Sequence, residues 1–403
     1  MGGNASKTWQ ELSGSKNWEG LLDPFNDDLR KYIIHYGEGA QAIGDAFNNQ
    51  DESDARGFSR YPMEGFFHNV GLDWFDYDVT QFFYAKEQRY LMYEVNWIGY
   101  VAVATDAGKE KLGRRDILVV WRGTERTVEA ALDIDDTLTS ASDIFAGHED
   151  VMVHNGWHEI YTSKNHVVDT EYIGHSAGEQ AVKEVKKQVE QLYKNNKDEE
   201  ISITVAGHSM GAALATLNAM DIVANGHNYP EDHPEMACQV TVFAFASPKV
   251  GNEKFKELYD NLNKEKNLHA LRILNAIDIV PNLPPVKYEH VGEQFMIDSR
   301  QSTHLKSINE VGTASLQIAH QLEPMLHVVA GWNGFDGTFD IKQNRDYSLA
   351  NKDMDALKSN YKAGILVGGA EQGYGPDYQK RDQQMDIARL QAAASSRVIC
   401  LAA

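Results

Sequence analysis

Cysteine is nearly missing from this chain: Cys238 and Cys400 are the only two in 403 residues, far apart in sequence. They make no disulfide framework, so the fold is expected to rest on a buried core and to suit a reducing compartment. Long apolar runs are missing too, and no stretch reaches the roughly 18 apolar residues of a membrane span. Basic residues are scarce, with 38 Lys and Arg against 59 Asp and Glu and a net charge of −21. That balance argues against a nucleic-acid partner, which wants basic stripes. It also gives no attraction to an anionic membrane surface. Internal repeats and low-complexity tracts are lacking. The opening MGGNASKTWQ has neither an apolar secretion core nor an Arg-rich transit pattern, so a cytoplasmic place is expected. It does match M-G-x-x-x-S, with Gly2 and Ser6 spaced as in an N-myristoylation site; the plainer reading is an unstructured leader. A single acyl chain would tether the chain only marginally at the periphery of a membrane.

What is present begins with Ile201-Ser202-Ile203-Thr204-Val205-Ala206-Gly207-His208-Ser209-Met210-Gly211-Ala212-Ala213-Leu214-Ala215. A β-branched run ends in G-H-S-M-G and a small-residue helix follows at once. This is the strand–turn–helix context of a G-x-S-x-G nucleophile elbow. The turn leaves flanking positions almost no room for side chains, hence Gly207 and Gly211. Ser209 is thereby lifted over the positive end of the next helix. The pentapeptide alone is weak, and the chain holds a second copy, Gly174-His175-Ser176-Ala177-Gly178. No apolar strand precedes Ser176. With Glu179 it forms an S-x-x-E capping box ahead of a helix from Gln180 to Asn195, so it reads as a helix cap.

The remaining elements fix the fold class. The opening to Tyr61 reads as helical, with Leu29, Ile33, Ile34 and Ala40 at helical spacing after Asp23-Pro24. An aromatic-rich stretch, Trp74 to Trp97, leads into a strand from Ile98 to Ala104 and a turn from Asp106 to Gly113. Asp116 to Trp121 is a continuous apolar run suited to a central strand. Two further strands follow the elbow helix, Gln239 to Ala246 and Leu271 to Asn275. Strands separated by helices predict an α/β chain with a mostly parallel central sheet flanked by helices. The domain is expected to span residues 1–340, helical opening included, with 341–403 as a peripheral extension.

A serine nucleophile needs a base, and the base a carboxylate that holds its tautomer. The best carboxylate is Asp278, directly after the Leu271–Asn275 strand, in a loop stiffened by Pro281, Pro284 and Pro285. Two histidines compete as base. His320 falls in the loop just before a helix, from which its side chain can swing toward Ser209. His327 lies inside that helix, whose face carries Leu322, Met325, Leu326 and Val329; it is the alternative. His290 follows Asp278 too closely and reads as structural, as does His154. Donors for an oxyanion are expected from the N–H of Met210 and from Thr124, with Gly123 letting the backbone approach. The acidic groups Asp133, Asp135 and Asp136, and Glu231, Asp232 and His233, lack ligand spacing and read as solvated loops. His148, His154 and His158 make no tight metal motif. No metal or cofactor is expected.

Together these pieces resemble the class 3 (fungal-type) lipase family, more narrowly its plant cytosolic phospholipase A1 group. The resemblance is carried by Trp18 to Pro24, Val120-Trp121-Arg122-Gly123-Thr124-Glu125, Val153-His154-Asn155-Gly156-Trp157 and GHSMGAALATLNA. The Asp278 loop and the stretch from His320 to Ala330-Gly331-Trp332 complete it, in the family's order. Trp157 stands where a Phe is more usual, and the segment after Gly364 does not follow the family's ending. The resemblance implies an α/β-hydrolase fold and a metal-free serine acylhydrolase cleaving the sn-1 ester of glycerolipids at a membrane or micelle interface. It implies Ser209, Asp278 and an adjacent histidine as the triad, and Thr124 with Met210 as the oxyanion hole. It further implies a helical lid from Glu125 to Asp136, with Val128, Ala131 and Leu132 on one face that could meet lipid when open; a surface helix that packs this face permanently is the plain alternative. A neutral-lipid or galactolipid acylhydrolase of the same fold, or a non-catalytic lipase-like signalling scaffold, are the other readings.

Overall fold

The computed structural model describes residues 7–50, 53, 55–89, 92–123, 136–164, 174–305 and 313–343. Gly2, Ser6, Thr124, Cys400, the expected lid up to residue 135 and the extension from residue 344 onward lie outside them.

Among the described residues, seven strands form one sheet in the order β1-β2-β3-β6-β7-β8-β9. They are β1 (Tyr77–Arg89), β2 (Met92–Ala104), β3 (Arg115–Trp121), β6 (Ile201–His208), β7 (Gln239–Phe245), β8 (Leu268–Asn275) and β9 (Glu293–Ile297); β4 (Leu138–Ser140) and β5 (Met152–His154) pair separately. From β3 through β9 every neighbouring pair is parallel, whereas β1, β2 and β3 run antiparallel. The parallel strands read as apolar runs because both their faces are covered. Leu118 and Val120 of β3 face one core, Ile117, Val119 and Trp121 the other. The first core packs under the helices Asp27–Ala46 and Leu322–Gly331, the second under Ala177–Asn195, Met210–Ala224 and Glu253–Lys266.

Three expectations need correction. The stretch from Trp74 to Trp97 is not a lead-in; most of it builds a long antiparallel hairpin, β1 with β2. Asp106 to Gly113 is not a plain turn. Thr105 accepts from the Gly108 N–H and starts the helix Asp106–Leu112, which closes at left-handed Gly113 (φ 76°). The opening is less helical than its pattern suggests, since the long helix there starts at Asp27, where the Asn26 side chain accepts from the N–H groups of Asp28 and Leu29. By contrast, Ser176 does cap the helix Ala177–Asn195 in a capping box with Glu179.

A buried polar node ties the N-terminal helix to the sheet. The carboxylate of Asp116 on β3 accepts from Tyr36 (3.1 Å), Tyr77 (2.7 Å), Thr204 (2.9 Å) and Ser202 hydroxyls, with the Arg114 guanidinium 3.6 Å away. So many donors let a carboxylate sit fully out of water. Arg30 from the same helix donates to the Val329 carbonyl at 2.6 Å, fastening the helix Leu322–Gly331.

His35 stacks on Phe75 with ring centroids 4.4 Å apart, and burial pushes its pKa from 6.5 down to about 3. The folded chain holds this ring neutral, while the unfolded chain takes up a proton below the ordinary value. The stability it supports is therefore full above the unfolded pKa and falls as pH drops from about 6.5 toward about 3. His35→Phe is expected to flatten this acid limb by about one proton, roughly 1.4 kcal/mol per pH unit. Urea melts of both proteins between those limits provide the measurement; equal slopes would contradict it.

Candidate active site

The site is built where β6, β8 and the helix Thr313–His320 end together. Ser209 stands between β6 and the helix Met210–Ala224 with φ 57° and ψ −128°, a strained conformation for a non-glycine residue. Its backbone N–H donates to the Phe245 carbonyl at 2.8 Å, which locks the bend to β7. The flanking glycines follow from contact. A methyl group on Gly207 would lie 2.3 Å from the Gly211 carbonyl oxygen, and one on Gly211 2.3 Å from that of Trp121. Gly123 approaches as closely: a methyl there would meet the His208 carbonyl oxygen at 2.6 Å. The loop after β3 thus passes beside the serine.

Asp278 lies three residues past β8, in a turn closed by its own N–H to the Asn275 carbonyl (2.9 Å). Its Oδ1 accepts from the Val280 N–H at 3.0 Å, just where Pro281 belongs to a short 3-10 turn. Its Oδ2 is 2.7 Å from His320 Nδ1, and His320 Nε2 is 2.9 Å from Ser209 Oγ. A carboxylate only accepts, so Nδ1 carries the ring proton and Nε2 offers its lone pair to the hydroxyl. Asp278 is buried, Ser209 is 6% exposed, and the His320 side chain keeps 12% exposure.

The structure thus brings Ser209, His320 and Asp278 into one hydrogen-bonded chain. One detail differs from the sequence reading: His320 is not in a loop before a helix but ends the helix Thr313–His320, and a single extended residue, Gln321, separates it from the next. His327 sits inside the helix Leu322–Gly331, buried, with Nε2 2.8 Å from the Ser302 hydroxyl. Met210 opens its helix, where the first N–H groups have no intrahelical acceptor. His154 caps the helix Asn155–Thr162 by accepting from the Gly156 N–H, and its ring stacks on Trp157 at 3.9 Å. Burial pushes the His290 ring down to about 4. In the second acidic group, Glu231 pairs with Lys186 and His233 with Glu235. Two side chains at the site were passed over in the sequence. His208 Nε2 donates to the His320 carbonyl at 2.6 Å, and Asn275 Nδ2 to the Ala319 carbonyl at 2.9 Å. Nothing local marks them, although His208 stands inside the elbow itself.

A mostly parallel sheet with a serine on a strained strand-to-helix bend, reached by an imidazole from a later segment, defines an α/β hydrolase. The model of the family Lipase (class 3) matches residues 118–288. The chain is 42% identical over 374 residues to Phospholipase A1-IIgamma of Arabidopsis thaliana, covering 88% of this chain and 86% of that one. It is 43% identical over 374 residues to Phospholipase A1-II 4 of Oryza sativa subsp. japonica, covering 88% and 89%. A solved lipase from Rhizopus microsporus var. chinensis is 21% identical, with a TM-score of 0.42 over 68% of this chain and 75% of that one. The chain belongs to the class 3 lipase family of carboxylic ester hydrolases. No helix among the described residues is long and apolar enough to cross a membrane.

Proposed function

We propose that this chain is a phospholipase A1-like acylhydrolase that cleaves the sn-1 acyl ester of glycerophospholipids. The observation that carries the chemistry is the run of 2.9 Å and 2.7 Å contacts joining Ser209 Oγ, His320 and Asp278. Relatives at about 40% identity named phospholipase A1-II support the substrate class.

Ser209 Oγ attacks the ester carbonyl carbon while His320 Nε2 takes its proton. Asp278 holds the ring by Nδ1 and stabilises the imidazolium that forms. The negative oxygen of the tetrahedral intermediate is met by the Met210 N–H and by Thr124. The intermediate collapses, His320 returns the proton to the departing lysolipid oxygen, and the acyl group stays on Ser209. Water deprotonated by His320 then releases the fatty acid. The resemblance to the family assigns Glu125 to Asp136 as the lid, a stretch outside the described residues up to 135. In this reading the enzyme works in the cytoplasm on a membrane or micelle surface, with residues 1–340 as the hydrolase unit and 341–403 as a peripheral extension.

A lipid panel tests it. Phosphatidylcholine with distinguishable chains is expected to yield the sn-1 fatty acid and a 2-acyl lysolipid by mass spectrometry. Faster turnover of galactolipid or triacylglycerol would replace the substrate, and release of the sn-2 chain would replace the position of attack.

A further inference from the structure

The helix Thr313–His320 ends on the residue proposed as base, so the carbonyls of Ala319 and His320 belong to a last turn that has no intrahelical donor. Both are satisfied from outside. His208 Nε2 donates to the His320 oxygen at 2.6 Å and Asn275 Nδ2 to the Ala319 oxygen at 2.9 Å. The two donors stand at the carboxyl ends of β6 and β8. One precedes Ser209 directly in the chain; the other lies three residues before Asp278.

Each donor is itself held. Asn275 is buried and its Oδ1 takes the Ser299 N–H at 3.2 Å, which turns its amide nitrogen toward Ala319. On His208 the ring proton must sit on Nε2, because a carbonyl oxygen only accepts. Burial pushes the His208 pKa down to about 3, which favours the neutral ring near neutral pH. Neutrality matters, since its ring centroid is 4.9 Å from that of His320 and a charge there would oppose imidazolium formation.

We propose that His208 and Asn275 are positioning residues that clamp the peptide carrying His320, and so hold its imidazole between Ser209 and Asp278. The proposal rests on the reading of His320 as base. Between the clamped backbone and the ring only two side-chain torsions remain. An error of about 1 Å in such a geometry costs on the order of a hundredfold in rate.

His208→Phe removes the donor at similar volume and His208→Gln restores an N–H of similar reach. The expected result is a kcat about 10- to 100-fold lower for His208→Phe, with KM changed less than about twofold. Inactivation of Ser209 by a fluorophosphonate should slow by the same factor, and His208→Gln should recover most of both rates. In a His320→Ala background, His208→Phe should add nothing to the residual rate. A kcat per folded molecule equal to the parent, or a change confined to KM, would overturn the clamp. If His320→Ala retained full turnover, the base assignment would fail instead, a separate result. Should His208→Phe not fold, Asn275→Asp carries the same test, because it presents a carboxylate oxygen to the Ala319 carbonyl.

Discussion

Ser209→Ala is expected to lower kcat for phospholipid hydrolysis by about a millionfold, the scale seen when a serine hydrolase loses its nucleophile. No other hydroxyl replaces it in the described chain of contacts, which runs from Ser209 Oγ through His320 to Asp278. The fold should not follow the activity down. Alanine keeps the Cβ, and the backbone N–H still reaches the Phe245 carbonyl. The positive φ of 57° is no harder for alanine than for serine. Micelle binding and melting temperature are therefore expected to stay near those of the parent. Turnover retained by a purified variant would show that the ester is attacked by some other group.

The second large effect separates two histidines seven positions apart. His320→Ala should cost about four orders of magnitude or more in kcat, because the serine loses both its proton acceptor and the link to Asp278. His327→Ala should leave kcat per folded molecule within about tenfold. Its cost falls on stability, about 2–4 kcal/mol, from a cavity and from a buried Ser302 hydroxyl that loses its 2.8 Å partner. Assays paired with denaturant melts distinguish the two. Activity that survives the first substitution and disappears with the second would move the base to His327.

The parts of this site legible in the sequence are those whose cause is local. Gly207 and Gly211 are dictated by the bend they flank, and the apolar run before them is dictated by burial of β6 on both faces. Asp278 could be read because it lies only three residues past β8 and has prolines behind it. The state of His320 was harder. Its neighbours keep helical spacing on both sides, and only the extended backbone of Gln321, whose side chain makes no capping hydrogen bond, marks where one helix stops and the next begins. The β1–β2 hairpin escaped notice because Lys86, Glu87, Gln88 and Arg89 break its apolar pattern. His208 and Asn275 gave no signal at all, since their partners lie 112 and 44 residues further along the chain.

The Asp116 node also bears on where a working fragment can be cut. The stretch matched by the family model, 118–288, begins two residues after that carboxylate and leaves out Tyr36 and Tyr77, which supply two of its donors. It stops short of Val329, where Arg30 fastens the segment that follows His320. Whatever trimming the ends tolerate, a working piece is expected to reach from at least Arg30 to Val329, well past both ends of the stretch that the family model matches.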